Sequence, residues 1–229
     1  MACVFSGEYH DSVWGTPVRD STELFAQLSL CTQQCGISWK IVWSKREHYG
    51  AAFHSWDMRR VAAMGAAELD GLCDPRGAWK GKLIQNRAKL AAIVHNAREC
   101  VRIDEREEGG LCGFLWSFVR GRADTVNQSA DCSDKEYVRV FGCTSPYSDA
   151  LAAALRGKYK LKFVGSVVLQ AFLLQNGLLN GHAVGCSKNP HTTPIAVVVS
   201  PKTVRASSKR RAAGGREAED EVPASRRLC

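Results

Sequence analysis

Between Asp20 and Leu174 the chain offers one helix start after another and no strand pattern to compete with them, which restricts the fold to packed helices. Asp20-Ser21-Thr22-Glu23 sets an N-cap aspartate ahead of a glutamate able to reach back as in a capping box. Leu24, Phe25, Leu28 and Cys31 then recur at helical spacing until Gly36 interrupts the run. Ser38 caps a second segment, in which Trp39, Val42, Trp43 and Arg46 follow at three- and four-residue steps. Asp57 opens a short helix through Met64 that ends at Gly65, and Ala66 to Cys73 reads as another. The Pro and Gly content of Asp74 to Gly81 marks a loop. From Lys82 a long helix is expected to run towards Arg106, with Leu83, Leu90, Ile93, Val94, Ala97 and Val101 as its apolar side. Leu111 to Val119 brings Phe114, Leu115, Trp116 and Phe118 to the core. Ser145-Pro146 starts a further helix that Gly157 should end. A hairpin over Lys158 to Gly165 leads to a last helix from near Ser166 through Leu174. A competing strand pattern occurs only at the β-branched run Ile195 to Val199, so the expected class is all-α.

A chain of 229 residues with 45% hydrophobic content can bury one good core. The reading is a helical domain over 1–194 and a disordered tail over 195–229, where the composition turns to Lys, Arg, Ser, Ala, Gly and Glu without apolar periodicity. Arg120 to Cys143 reads as a polar surface insertion. Half of the net charge of +8 lies in residues 201–229, which hold eight Lys/Arg against four Asp/Glu. In that tail Pro201-Lys202 and Lys209-Arg210-Arg211 resemble a split nuclear-import signal, and a solvated basic tail explains them equally well. No apolar run approaches the ~20 residues of a membrane span, and the first residues lack the basic flank and apolar stretch of a signal peptide. Ten scattered cysteines without a CxxC pair suit reduced, small, buried side chains. The expectation is an intracellular monomer without membrane contact, nuclear if eukaryotic and cytoplasmic otherwise.

Three constellations carry chemistry. Residues 149–174 form a helix–hairpin–helix candidate, in which a glycine lets backbone approach a phosphate and the following helix offers unpaired N–H groups and a positive dipole end. Lys158, Lys160 and Lys162 add steering charge there, although one glycine between helices is often only a turn. His182 and Cys186 stand four residues apart and can share one side of a turn, with Cys3 and His10 available to complete a tetrahedral zinc site. A satisfied polar histidine and a core cysteine are the plainer reading of the same residues. Finally, Gln33 to Trp39 make a polar, glycine-bearing, aromatic corner of the kind that lines a cleft.

Tyr9-His10-Asp11-Ser12-Val13-Trp14-Gly15-Thr16-Pro17, Leu24-Phe25, Gln33-Gln34-Cys35-Gly36-Ile37-Ser38-Trp39, Lys45-Arg46-Glu47, Phe53, Asn86-Arg87-Ala88-Lys89, Asn96-Ala97, Leu115-Trp116-Ser117-Phe118, Phe163-Val164-Gly165 and Asn180-Gly181-His182 through Cys186 occur in this order. Over about residues 3–190 the chain thereby resembles the 3-methyladenine DNA glycosylase I family of the helix–hairpin–helix superfamily. The resemblance implies a two-lobed helical domain that binds double-stranded DNA containing alkylated bases and flips the damaged purine into a cleft. The enzyme would hydrolyse the N-glycosidic bond to release 3-methyladenine, the first step of base-excision repair. It implies a structural zinc on Cys3, His10, His182 and Cys186, and a base pocket at Phe5, Tyr9, Trp14, Cys31, Gln34 and Trp39. DNA contacts would fall on Lys162, Val164, Gly165 and Ser166.

Some positions depart from the family pattern. Two residues before the Gln-Gln pair the family usually has a glutamate able to accept hydrogen bonds from the flipped base, and this chain has Cys31, a weak partner. An alternative therefore stands beside the enzyme: a zinc-stapled, DNA- or lesion-binding protein of the same fold with lost or altered catalysis. Gln85 stands where a basic residue is usual, Asp74 to Trp79 reads as inserted, Gly181 replaces the aspartate common before the metal histidine, and the spacing from Cys3 to His10 is short.

Overall fold

Leu24 to Gln33 would make an ordinary amphipathic helix on spacing alone, yet in the computed structural model nearly every residue of that stretch is buried, Gln27 being half-buried. This helix, α2 (Ser21–Gln33), is a central one, starting where the Asp20 carboxylate accepts from the Glu23 N–H at 2.8 Å. The structure describes residues 7–119, 124–125, 143–182 and 186–188. They belong to one unit, Met1–Ala196.

The short α1 (Glu8–Ser12) precedes α2, and α3 (Trp39–Trp43) and α4 (Arg46–Ala52) follow it. A 3₁₀ turn at His54–Trp56 leads to α5 (Met58–Ala63) and α6 (Ala66–Cys73). The long α7 (Arg87–Arg106) and α8 (Gly110–Ser117) come next, then α9 (Pro146–Gly157) and α10 (Ser166–Gln175). α2 packs against α3, α7, α8 and α10; α7 also carries α5 and α6; α9 and α10 pack on each other. The described part is mostly helical, as expected, with one exception. Asp124–Thr125 and Leu179–Asn180 form a two-residue parallel pair, β1 and β2, in register Asp124↔Leu179 and Thr125↔Asn180. Part of the expected insertion is thus hydrogen-bonded to the strand that leads into His182.

The expected start of the long helix at Lys82 is corrected to Arg87. Asn86 is extended (φ −102°, ψ 108°) and its side chain accepts from the Lys89 N–H at 3.1 Å, which makes it the cap. Leu83 is buried from the preceding turn, and Val101 is only half-buried; Cys100 and Ile103 continue the stripe of Leu90, Ile93, Val94 and Ala97. The connector 158–165 is no β-hairpin. Lys160 and Phe163 take the left-handed conformation there, at φ 56° and 58°, and Gly165 does not. All described cysteines are free, but burial holds only for Cys31, Cys100 and Cys186; Cys35, Cys73 and Cys112 are half-buried and Cys143 is exposed. No described helix is long and apolar enough to cross a membrane. Cys3, Phe5 and the whole 195–229 segment lie outside the described residues.

Candidate functional site

His10 lies within α1 and His182 follows β2, so strand and short helix bring together residues far apart in the chain. His10 Nε2 lies 3.2 Å from His182 Nδ1, and Cys186 Sγ lies 3.5 Å from the first and 3.7 Å from the second. Tetrahedral bonds of about 2.05 Å to nitrogen and 2.3 Å to sulfur require about 3.3 Å between nitrogens and about 3.6 Å from nitrogen to sulfur, so one ion fits the spacing. The outer partners fit as well. His10 Nδ1 faces the Asp11 carboxylate at 2.7 Å, and the His182 ring is hydrogen-bonded to the Trp14 backbone, which leaves one ring nitrogen of each histidine for the centre. Burial foremost, with His10 and Lys188 adding to it, pushes the His182 imidazole down to about 4. The ring is therefore neutral and its lone pair available at neutral pH. Cys186 accepts from the Lys188 N–H at 3.4 Å. Gly15 (φ +76°) closes one wall: a Cβ there would lie 2.6 Å from His182 Nε2.

Beside this cluster stands an aromatic wall. Trp39 Nε1 donates to the Tyr9 hydroxyl at 2.9 Å, Tyr9 meets Trp43 edge-on at a centroid distance of 4.8 Å, and Trp39 and Trp43 lie 5.8 Å apart. In the sequence Trp43 shows only helical spacing, and its position one turn after Trp39 is the one signal of this role. Trp14 is buried, and its described ring contacts are with His182 (4.7 Å) and His10 (6.2 Å), so it lies on the cluster's side of the site. Gln34 is half-buried at the end of α2.

Cys31 is fully buried and close enough to Tyr9 for their charges to interact. Burial, with Cys35 adding to it, holds the thiol well above its ordinary range, and burial likewise raises the Tyr9 phenol despite its bond to Trp39. Both groups are neutral at pH 7. The Cys31 thiol faces Gln175 Oε1 at 3.8 Å, and the Gln175 amide donates to Gln27 Oε1 at 2.8 Å. Gln175, at the end of α10, carried no signal in the sequence, because only the packing of α10 on α2 brings it there.

Beneath the corner runs a polar network. Lys89 Nζ donates to the carbonyls of Gln33 (2.9 Å) and Cys35 (2.6 Å), and Gln33 Nε2 donates to the Lys89 carbonyl at 3.1 Å. The Tyr49 hydroxyl meets Gln33 Oε1 at 3.4 Å and accepts from the Ile84 N–H at 3.3 Å. Gln85, the departure noted above, donates to the carbonyls of Leu72 and Asp74 and so satisfies the end of α6.

Of the expected DNA contacts, Lys162 is exposed, Gly165 and Ser166 are half-exposed, and the Val164 side chain is in the core, leaving only its backbone for a partner. Gly165 precedes α10 with no side-chain cap, and a Cβ on it would meet open space, so a phosphate could approach the first N–H groups of the helix. Phe163 and Val167 are exposed on either side.

A family model described as methyladenine glycosylase matches residues 5–189. The chain is 37% identical to DNA-3-methyladenine glycosylase 1 of Escherichia coli K12 over 186 residues, 81% of this chain and 92% of the relative. It is 36% identical to the DNA-3-methyladenine glycosylase of Haemophilus influenzae over 179 residues, 78% and 89% of the two chains. A crystal structure of 3-methyladenine DNA glycosylase I superposes with a TM-score of 0.72 at 36% identity, covering 83% of this chain and all of the other.

Proposed function

The chain belongs to the methyladenine glycosylase family, and we propose that it is a DNA-repair glycosylase that flips an alkylated purine out of duplex DNA and hydrolyses its N-glycosidic bond. The observation that carries the reading is the Tyr9–Trp39–Trp43 wall next to the neutral Cys31. 3-Methyladenine is cationic while still attached to the sugar, and aromatic faces attract such a ring by about 0.5–2 kcal/mol each. The positive charge already weakens the bond to the sugar, so little help from an acid is needed. Water adds to C1′, the bonding electrons leave with the base as neutral 3-methyladenine, and the surplus proton goes to solvent. Lys162 and the backbone at Val164, Gly165 and Ser166 hold the phosphates, in a helix–hairpin–helix arrangement of α9 and α10. Zinc on His10, His182, Cys186 and Cys3 would staple the N-terminal segment, including Phe5 and Tyr9, to the end of the domain. The two-nitrogen, one-sulfur spacing supports that role. The protein works as a monomer on double-stranded DNA. Incubation with methylated DNA should release 3-methyladenine; no release at high protein concentration refutes the enzyme.

One observation favours a second reading, a lesion-binding protein with altered or lost turnover. The protonated Cys31 thiol meets the oxygen of Gln175 and offers no acceptor of carboxylate strength. If the natural chain binds lesion DNA without release and Cys31→Glu releases the base, this second reading holds.

A further inference from the structure

Two buried polar side chains on one face of α7 hold two different parts of the recognition surface. Lys89 is 7% exposed, and no carboxylate pairs with it among the described residues. Its ammonium is held instead by the Gln33 and Cys35 carbonyls, and Gln33 returns a bond to the Lys89 carbonyl. A buried lysine is costly unless its donors are used. Here they meet carbonyls at the C-terminal end of α2, where partial negative charge collects. The bonds fix the chain just before Gly36 turns it, at φ +73°, towards Trp39.

Asn96, 2% exposed, makes a two-bond match with the backbone of Lys162: Nδ2 donates to its carbonyl at 2.9 Å and Oδ1 accepts from its N–H at 2.8 Å. The adjacent His95 Nε2 lies 2.9 Å from the Lys160 carbonyl. These bonds grip the segment in which Lys160 and Phe163 are left-handed, a conformation non-glycine residues keep only where neighbours enforce it. Lys89 and Asn96 are seven residues apart, hence on nearly the same helix face and about 10 Å apart along its axis.

We propose that α7 is the spacer of the recognition surface, Lys89 positioning the base-side corner and Asn96 positioning the DNA-backbone connector. Base depth and phosphate grip are thereby set by separate contacts on one rigid helix. Neither residue touches the reacting atoms; both are positioning residues. The inference rests on the glycosylase reading and adds that its two halves can be damaged one at a time.

The test is a double dissociation on the full chain, with free 3-methyladenine read by tryptophan fluorescence and an undamaged duplex read by anisotropy. Lys89→Met should weaken base binding about tenfold or more and leave duplex binding within about twofold, because it removes two charge-assisted bonds at one end only. Asn96→Ala should do the reverse, weakening duplex binding by a similar factor while base binding holds. If Lys89→Met does not fold, Lys89→Gln replaces it with the same expectations, and the Asn96→Ala arm stands independently. A merely structural role would lower both affinities together in each variant, and that result, or no change in either, overturns the spacer. A natural chain that binds neither free base nor methylated DNA would instead overturn the glycosylase reading, and this inference with it.

Discussion

Gly15→Ala puts the proposed metal site under a small, calculable load. At φ +76° an alanine bears roughly 1–2 kcal/mol of left-handed strain. Its Cβ would sit 2.6 Å from His182 Nε2, so the ring must retreat by about 0.8 Å to reach an ordinary contact of 3.4 Å. The ring has little room, since Trp14 packs against it edge-on at 4.7 Å and its Nδ1 faces His10 Nε2 at 3.2 Å. Metal–ligand distances tolerate only about 0.2 Å. Moving His182 also disturbs its bond to the Trp14 backbone, and loss of such an outer partner typically costs about ten- to a hundredfold in metal affinity. At free zinc above the dissociation constant, that is about 1.4–2.8 kcal/mol of lost stabilisation, for a total of roughly 2–5 kcal/mol with the strain included. The assay is zinc content after gel filtration, with thermal melting in the presence and absence of a chelator. The natural chain should carry one equivalent and melt lower when chelated; Gly15→Ala should lose zinc readily and, with the strain added, melt below the chelated natural protein. An alanine variant that keeps zinc at natural affinity refutes the reasoning, even if left-handed strain lowers its melting point.

Other outcomes follow from the same geometry. Trp39→Ala removes one face of the wall and the donor to Tyr9, and should weaken free 3-methyladenine binding by about 1–3 kcal/mol in a fluorescence titration. Lys162→Ala should lower the slope of log affinity against log salt by about one on undamaged duplex, as loss of a single phosphate contact requires; an unchanged slope removes Lys162 from the interface. Hydrogen bonds from Lys158 and then Tyr159 hold the Glu107 carboxyl below its ordinary range. Its contribution to stability is therefore complete above about pH 4.3, the unfolded value, and lost as pH falls through the lower folded value. Denaturation midpoints followed from pH 6 to pH 3 should fall less steeply for Glu107→Gln.

The helices were legible because their signals are local. Asp20, Asp57 and Ser145 each cap the helix that their spacing announces. Spacing alone extends the long helix back to Lys82 because Leu83 keeps helical spacing with Leu90 and is buried, while the ladder begins only where Asn86 can accept a bond. His10, His182 and Cys186 were legible as types and in order, but their convergence needed β2 and the turn at Gly15, and Cys3 lies outside the described residues. Lys89 and Asn96 belong to the motifs Asn86 to Lys89 and Asn96-Ala97, yet their roles are not legible there, since a lysine bonded to carbonyls has no charge partner that a sequence pattern could show. Gln175 was silent for a related reason: its partner Cys31 is 144 residues away.

On the proposed glycosylase reading, Cys31 would decide what kind of selectivity the base pocket has. A carboxylate about 4 Å from a cationic purine would contribute on the order of 4 kcal/mol at an effective dielectric of 20. That attraction is specific to charge, and a neutral purine of the same shape would not receive it. The thiol, held protonated by burial, supplies none of it, and the Gln175 oxygen behind it is a neutral acceptor. On that reading what remains would be stacking on Tyr9, Trp39 and Trp43, which would favour a cation by about 0.5–2 kcal/mol per face and accept neutral rings as well. The natural chain should therefore discriminate between cationic and neutral alkylated purines less than Cys31→Glu does, by at least about tenfold in the ratio of kcat/KM values. Competition between the two lesion classes in one duplex measures that ratio directly. An unchanged ratio would show that the contact at Cys31 does not read charge, and would move the source of selectivity to the aromatic wall alone.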